Sequence, residues 1–202
     1  MTGWNPEVGP GLDTALEELA TRDLTVVGRL PWSSNLTVLV SVETDRPDPL
    51  HAVYKPESGE QPLWDFPDGL YRREVAAFAL SEALGWGLVP PTVARQEGPF
   101  GPGSVQLFVE ADYDKHYFTL LDEAGDDATL LTMCAFDVVA NNADRKSGHV
   151  LQGVDGRLWG IDHGLCFHRQ PKLRTVIWDF AGGAVPDAVL ADVDRLADDL
   201  PD

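Results

Sequence analysis

The stretch that decides the fold reads Asn141-Asn142-Ala143-Asp144-Arg145-Lys146-Ser147-Gly148-His149. It follows an apolar helical pattern, and its polar composition predicts a loop. Two short apolar runs flank an Asp155-Gly156 turn after it, which predicts a tight hairpin. The return strand of that hairpin leads into Asp162-His163-Gly164. Because the two ends of a hairpin lie side by side, we expect Asp144 and Asp162 to come close together.

Asp144, Lys146 and Asp162 are residue types that phosphoryl transfer needs. A carboxylate must lie near the incoming hydroxyl group, a cation near the transferring phosphate, and oxygen ligands near the divalent ion that bridges the phosphates. Loop aspartates also commonly cap turns, and Asp-His-Gly is compatible with a β-bulge. Taken alone, these three residues do not define a site.

Lys55 and Glu74 form a second candidate pair. Lys55 ends the apolar run Ala52-Val53-Tyr54, which predicts a strand. Glu74 lies within a helical pattern, between Leu70 and Phe78, and an ionised carboxylate in such an apolar stripe needs a partner. A lysine on an adjacent strand supplies one, and the pair can hold the ammonium against the phosphates of a nucleotide. Two other interpretations stay open: an edge-strand lysine that prevents aggregation, and a Glu74 paired with a neighbouring arginine or with water.

The order of patterns along the chain predicts an α+β fold. A β-rich half that contains one long helix is followed by a polar connector near Glu110, and then by a mainly helical half with one small hairpin. Strands and helices do not alternate regularly, which excludes a doubly wound sheet. We therefore expect an N-terminal arm and helix over residues 1–22, a β-rich N-lobe over residues 23–110, and a short, mostly helical C-lobe over residues 111–202.

The net charge excludes several classes of partner. With 33 acidic and 15 basic residues, the chain carries −18 at pH 7. This charge argues against nucleic-acid binding, which needs a phosphate-neutralising surface, and against attraction to anionic membranes. The longest uniformly apolar stretches have the length of a strand, so no integral membrane segment is expected. The N-terminus lacks the pattern of a signal peptide, and the two cysteines form no disulfide framework, so we expect a cytoplasmic protein.

The order Lys55, Glu74, Asp144, Lys146, Asp162 resembles the protein-kinase-like superfamily. The resemblance is to its atypical branch of phosphoinositide 3- and 4-kinase-like and HipA-like proteins, including small actinobacterial members. It spans roughly Val26 to Phe167. The stretches that carry it are Ala52–Pro56, Tyr71–Ala76, Asn142–His149 and Ile161–Gly164.

The resemblance implies a two-lobed kinase-like fold that binds ATP with Mg²⁺ or Mn²⁺ in the cleft between the lobes. It implies that Lys55 binds the α- and β-phosphates and pairs with Glu74. It further implies that Asp144 orients the acceptor hydroxyl group, that Lys146 neutralises the transferring phosphate, and that Asp162 ligates the metal ion.

Three further assignments follow from the resemblance. Ser33 and Ser34 take the place of the phosphate-covering loop, although no G-x-G-x-x-G pattern is present. Val109 and Glu110 lie at the end of a strand, Gln106 to Glu110, that is expected to be the hinge against which adenine stacks. His149 occupies the position of a metal-binding asparagine and is expected to be the second metal ligand.

We thus expect an ATP-dependent phosphotransferase that acts on a protein hydroxyl group or a neutral or cationic small molecule. A phosphoinositide headgroup fits poorly, because like charges would oppose docking. Two alternatives remain: a catalytically impaired nucleotide-binding pseudokinase, in which His149 impairs metal handling, and a nucleotidyl (AMP) transferase.

Two residue groups invite other interpretations. His149, His163 and His168 are close in sequence, but they lack the spacing of a dedicated zinc site. Asp137, on the apolar helical pattern, is expected to bond to the backbone of the loop at Asp144 rather than to take part in catalysis.

Overall fold

The computed structural model describes residues 11–31, 33–47, 49–124 and 128–199, and it confirms the α+β class. Within these residues it contains a five-stranded sheet, a separate two-stranded hairpin and five α-helices. The expected N-terminal arm, residues 1–10, lies outside the described residues. The lobe boundary at residues 110 and 111 stays a prediction.

The sheet is antiparallel throughout, with the strand order β1-β2-β3-β5-β4. Burial alternates along β3, so Lys55 lies on the face opposite to the fully buried Tyr54. Pro56 ends β3 and pairs with Gly103. The strands are β1 Leu24–Arg29, β2 Val38–Val42, β3 Leu50–Pro56, β4 Thr92–Arg95 and β5 Gly103–Leu107.

The helices pack on the sheet and on one another. Ala15 and Leu19 of α1 are fully buried in the same core as the sheet. Ala77 and Phe78 of α2 belong instead to a second core, which α3 and α4 also build and which we call the C-lobe core, although α2 also contacts β4 and β5. Helix α2 therefore contacts both lobes. The helices are α1 Leu12–Thr21, α2 Tyr71–Ala83, α3 Tyr117–Ala124, α4 Ala128–Val139 and α5 Asp187–Asp199.

The hairpin of β6, Val150–Gln152, and β7, Leu158–Gly160, joins the two cores. Successive side chains of a strand point to opposite faces. Accordingly, Val150 and Leu158 pack in the C-lobe core, whereas Leu151 and Trp159 pack in the core of the sheet. Because the hairpin lies between the two cores, Asp162, which follows β7, comes to the boundary of the two lobes.

One element is missing from the sequence analysis, and one expectation about local structure is wrong. Helix α3 was not predicted from its polar surroundings. The strand expected to reach Glu110 ends at Leu107, because the chain then turns towards the hairpin: the carbonyl oxygen of Glu110 accepts the N–H of Val154, and Ala111 forms a bridge with Gly153.

Within the described ranges, no helix is both long enough and apolar enough to span a bilayer.

Candidate functional site

A cavity of about 240 Å³ between the lobes brings together most of the predicted site residues. It is open to solvent and lies where β3, α2, the loop after α4 and the end of the hairpin meet. The predicted residues that line it are Ser33, Ser34, Lys55, Glu74, Asp144, Lys146, His149 and Asp162.

Lys55 lies between two carboxylates. Its Nζ is 2.5 Å from Oε1 of Glu74 and 2.9 Å from Oδ1 of Asp162. Burial alone would lower the pKa of Lys55, but the two negative charges outweigh it and raise the pKa above its ordinary value. Lys55 is therefore a permanent cation at neutral pH, and the predicted pairing with Glu74 is confirmed.

Asp162 has an unusual backbone conformation. Its φ is 60°, in the left-handed region, which costs energy in most residues but is tolerated by aspartate. The charge of Lys55 lowers the pKa of Asp162 below its ordinary value, so this carboxylate is ionised at neutral pH. Its side chain is 46% exposed and lines the cavity, so a ligand there can reach the carboxylate.

Asp144 and Lys146 line the cavity and form an ion pair there. Lys146 Nζ is 2.8 Å from Oδ2 of Asp144, and the two side chains are 61% and 38% exposed. The backbone N–H of Asp144 donates to Oδ1 of Asn142 at 3.0 Å, which holds the loop in place. An exposed ion pair of this kind adds little stability, so both groups can exchange their partner for a ligand at small cost.

His149 contacts Asp162. Its Nε2 is 3.2 Å from Oδ2 of Asp162, and its Nδ1 accepts the backbone N–H of Lys146 at 3.4 Å. Since Nδ1 is the acceptor, a neutral ring carries its proton on Nε2 and donates it to Asp162. Burial lowers the pKa of His149 and, with the charges of Arg145 and Lys146 added, outweighs the Asp162 carboxylate, which raises it, so the neutral ring dominates at neutral pH.

The segment that contains Ser33 and Ser34 is tied to the loop after β3. Gln61 donates its side-chain amide to the carbonyl oxygen of Ser34 at 2.7 Å, and its backbone N–H to Oδ1 of Asn35 at 2.9 Å. The hydroxyl group of Ser33 accepts that of Thr37 at 2.9 Å. These bonds hold the segment beside the cavity without a glycine-rich loop.

Glu60 is a site residue that the sequence analysis missed. Its carboxylate accepts the backbone N–H groups of Gly69, Leu70 and Tyr71 at 2.8–2.9 Å, at the start of α2. The residue that caps α2, Leu70, offers no side-chain cap of its own. Glu60 also lines the cavity. A loop carboxylate about ten residues before a helix gives no local pattern that would reveal this role.

Val109 and Glu110 are not among the residues that line the cavity. Val109 is buried in the core that contains Leu151 and Trp159. The carbonyl oxygen of Glu110 already accepts the N–H of Val154. The expected contact of these residues with adenine stays a prediction.

Asp162 suits an oxygen-liking divalent ion that a nucleotide helps to hold, rather than an ion held by protein side chains alone. Among the residues that the structure describes, no three His, Cys, Asp or Glu side chains are grouped so that they could hold an ion. His163 Nε2 lies 2.8 Å from Arg145, and His168 Nε2 lies 3.0 Å from the carbonyl oxygen of Asp65. A carboxylate suits Mg²⁺ or Mn²⁺ when phosphate oxygens complete the coordination shell.

Comparisons with solved structures define the class of fold. A Golgi casein kinase, crystallised with Mn/ADP bound, superimposes on 92% of this chain with a TM-score of 0.50 and 15% sequence identity. The chain spans 61% of the length of that kinase. The Helicobacter pylori proinflammatory kinase CtkA matches 91% of the chain and 70% of its own length, with a TM-score of 0.49 and 12% identity. The match to the Golgi casein kinase shows that the protein has a protein-kinase-like fold.

A sequence comparison defines the family. Protein Rv2133c of Mycobacterium tuberculosis (strain ATCC 25618 / H37Rv) is 44% identical to this chain over an alignment that is 216 residues long with its gaps. The alignment covers 90% of this chain and 77% of Rv2133c. The chain belongs to the same family as Rv2133c. No protein-family model matches it. The phosphoinositide-kinase-like or HipA-like branch stays a prediction.

Proposed function

We propose that the protein is an ATP-dependent phosphotransferase. One observation carries this proposal: the Lys55–Glu74 ion pair, Asp162 and the Asp144–Lys146 pair all line the same cavity. Positioned cations and carboxylates of this kind supply most of the catalysis in phosphoryl transfer, because the protein has little covalent chemistry to perform.

The cavity suits the phosphate end of a nucleotide. Its volume of about 240 Å³ lies just below the range of about 300–1,000 Å³ that is typical of sites for small molecules. Lys55, cationic and held by Glu74, would bind phosphate oxygens. The Ser33–Ser34 segment would cover them from the other side.

The transfer step needs a base and a cation at the acceptor. The acceptor hydroxyl oxygen attacks the γ-phosphorus, the bond from that phosphorus to the β–γ bridging oxygen breaks, and ADP leaves with the bonding electron pair. The carboxylate of Asp144 accepts the hydroxyl proton. Lys146, 2.8 Å from Asp144, would stabilise the charge of the transferring phosphoryl group.

A divalent ion, when bound, would neutralise phosphate charge and orient the β- and γ-oxygens. Asp162 would hold it through its carboxylate oxygens. Because His149 directs an N–H group at Asp162, we propose that His149 orients this carboxylate. The expectation that His149 is itself a ligand is the alternative, and it can be tested.

The charge of the chain points to the class of acceptor. A net charge of −18 would repel anionic acceptors. A hydroxyl group on a protein, or on a neutral or cationic small molecule, is therefore the proposed acceptor.

Separate labels on ATP test this function. The protein is incubated with γ-labelled or α-labelled ATP, with and without Mg²⁺ or Mn²⁺, and with Asp144→Asn as the control. Metal-dependent transfer of the γ-label to protein, to an added acceptor or to water, and its loss in the control, is the expected result. Transfer of the α-label would indicate a nucleotidyl transferase instead. ATP binding without transfer of either label would indicate a pseudokinase.

A further inference from the structure

A buried ion pair connects α4 to the loop that carries Asp144. The side chains of Asp137 and Arg145 are both 0% exposed, and Arg145 Nη2 donates to Oδ1 of Asp137 at 2.7 Å. Arg145 Nε lies 3.1 Å from both oxygens of the same carboxylate. Asp137 was expected to bond to the loop backbone, but its carboxylate binds side chains. A buried pair needs this quality of geometry to offset the desolvation of its charges.

Arg145 also reaches the residues on both sides of Asp162. Its Nη1 donates to the carbonyl oxygen of Ile161 at 3.1 Å, and its Nη2 lies 2.8 Å from Nε2 of His163. Because a guanidinium group only donates, Nε2 of His163 is the acceptor. Nη1 makes a longer bond, 3.3 Å, to the carbonyl oxygen of His149. One side chain thus holds both neighbours of Asp162.

The same network continues to Asp144. Asn142 donates its side-chain amide to Oδ1 of Asp137 at 2.8 Å, and its Oδ1 accepts the backbone N–H of Asp144 at 3.0 Å. The hydroxyl group of Thr175 donates to the other oxygen of Asp137 at 2.9 Å. A continuous set of hydrogen bonds therefore connects Asp144 to the residues next to Asp162 through buried groups.

We propose that Arg145 is a positioning residue, which sets the separation of Asp144 from Asp162 through its pair with Asp137. This inference rests on the proposed function, in which the two aspartates act on the acceptor hydroxyl and on the metal ion. Arg145 itself is fully buried and does not touch the substrate.

The chemistry of arginine suits this role. Its planar guanidinium group presents donors in a fixed fork, so it satisfies Asp137, Ile161 and His163 at once, whereas a lysine ammonium has one nitrogen. Such support suits Asp162, because aspartate tolerates a φ of 60° but the conformation still costs energy, which the surrounding contacts offset.

The variant Arg145→Lys separates positioning from folding. It retains the buried charge and loses the fork, so kcat for γ-phosphoryl transfer is expected to fall by about tenfold to hundredfold. The KM for ATP, and the rise in Tm that ATP causes, should stay close to those of the unmodified protein. The matched control is Leu130→Ala, which removes a fully buried side chain from the same helix, away from the network. Both variants are assayed at a temperature at which circular dichroism shows them folded, and Leu130→Ala should lose Tm but keep kcat.

A kcat in Arg145→Lys equal to that of the control overturns the proposal. The absence of transfer by the unmodified protein contradicts the proposed function instead. If Arg145→Lys does not fold, the double variant Asp137→Asn/Arg145→Gln removes both charges and keeps amide groups for the neighbours that the pair satisfies: Asn142, Ile161, His163 and Thr175. This variant should fold, bind ATP and lack transfer, and unmodified turnover by the folded double variant overturns the proposal as well.

Discussion

The backbone N–H of His163 donates to Oε2 of Glu74 at 2.9 Å, so the carboxylate on α2 holds the residue directly after Asp162. The other oxygen of Glu74 accepts Lys55 Nζ. Glu74 is 3% exposed, and in this setting losing either partner is costly. One buried carboxylate therefore fixes β3, α2 and the segment at Asp162 relative to one another.

This arrangement makes Lys55 the first residue to test. Lys55→Met removes the cation proposed to bind phosphate oxygens, and loss of such a charge-assisted contact costs about 1.5–3 kcal/mol, or about tenfold to hundredfold in affinity. Glu74→Gln should weaken binding less, because the cation remains. Isothermal titration with ATP and the thermal shift on ATP addition measure the effect. Lys115→Met is the control, since Lys115 pairs with Glu123 on α3. Unchanged ATP binding in Lys55→Met would disprove the assignment.

Asp144→Asn tests the proposed base. The amide preserves the shape of the side chain but cannot accept the hydroxyl proton, so turnover should fall by about a hundredfold or more. ATP affinity should remain within a few-fold, because the nucleotide does not depend on this proton acceptor. Steady-state kinetics and ATP titration on the same preparation provide both numbers. An affinity that falls as steeply as turnover would instead make Asp144 a metal ligand or a structural residue.

Glu60→Ala tests the start of α2. Without this carboxylate, the N–H groups of Gly69, Leu70 and Tyr71 lose their acceptor. A lost cap of this kind costs about 1 kcal/mol of the free energy of unfolding. Because α2 carries Glu74, the stabilisation by ATP should decrease too. Glu57→Ala removes a neighbouring acidic side chain and leaves these bonds intact, so urea unfolding should show a smaller loss. Equal losses in the two variants would show that Glu60 does not hold the helix.

The sequence predicted those features that have a local pattern. Alternation and turn residues located the strands around Lys55, and the Asp155-Gly156 turn located the hairpin that brings Asp162 towards Asp144. Glu74 was identified because a carboxylate within an apolar helical stripe needs a partner.

The features that the sequence did not predict depend on distant contacts. Helix α3 has only eight residues, and its buried Tyr117 donates its hydroxyl group to Asp179, which lies beyond the hairpin. The carboxylate of Glu60 accepts N–H groups at the start of α2, and a loop separates it from that helix in the sequence. Strand β5 ends at Leu107 because Glu110 and Ala111 bond to the hairpin instead. Each of these depends on tertiary contacts, which override local propensity.

The buried His163 predicts how stability depends on pH. Burial, with the charges of Arg145 and Lys55 added, lowers the pKa of His163 well below its ordinary value of about 6.5. Above that pH, neither the folded nor the unfolded chain binds a proton at this residue. Below it, only the unfolded chain does, so the free energy of unfolding should fall by up to about 1.4 kcal/mol per pH unit from this residue.

Urea unfolding between about pH 7 and pH 5, for the unmodified protein and for His163→Gln, measures this contribution. Glutamine keeps an acceptor for Arg145 but does not titrate. The slope should become shallower without vanishing, because burial lowers the pKa of His149 as well. Equal slopes in the two proteins would contradict the assignment to His163.

The role of His149 can be decided by the identity of the metal ion. If its ring ligates the ion, the nitrogen donor favours Mn²⁺ over Mg²⁺ more strongly than an oxygen ligand does. Metal binding would then also weaken as pH falls towards about 6, since protonation of the ring competes with the ion. If His149 only donates to Asp162, as the hydrogen bond from Lys146 to Nδ1 indicates, the ion is held by Asp162 and phosphate oxygens.

The variant His149→Asn separates these two roles. Asparagine offers a carbonyl oxygen to the ion and an N–H group to Asp162. Mn²⁺ and Mg²⁺ titrations of both proteins, followed by thermal shift with ATP, give the ratio of the two affinities. We expect nearly equal ratios and a modest loss of Tm in the variant, because the contact with Asp162 is replaced by a weaker one. A shift of the ratio towards Mg²⁺, with a flatter pH dependence of metal binding, would show that the imidazole is a ligand and that its proton does not reside on Nε2 when the ion is bound.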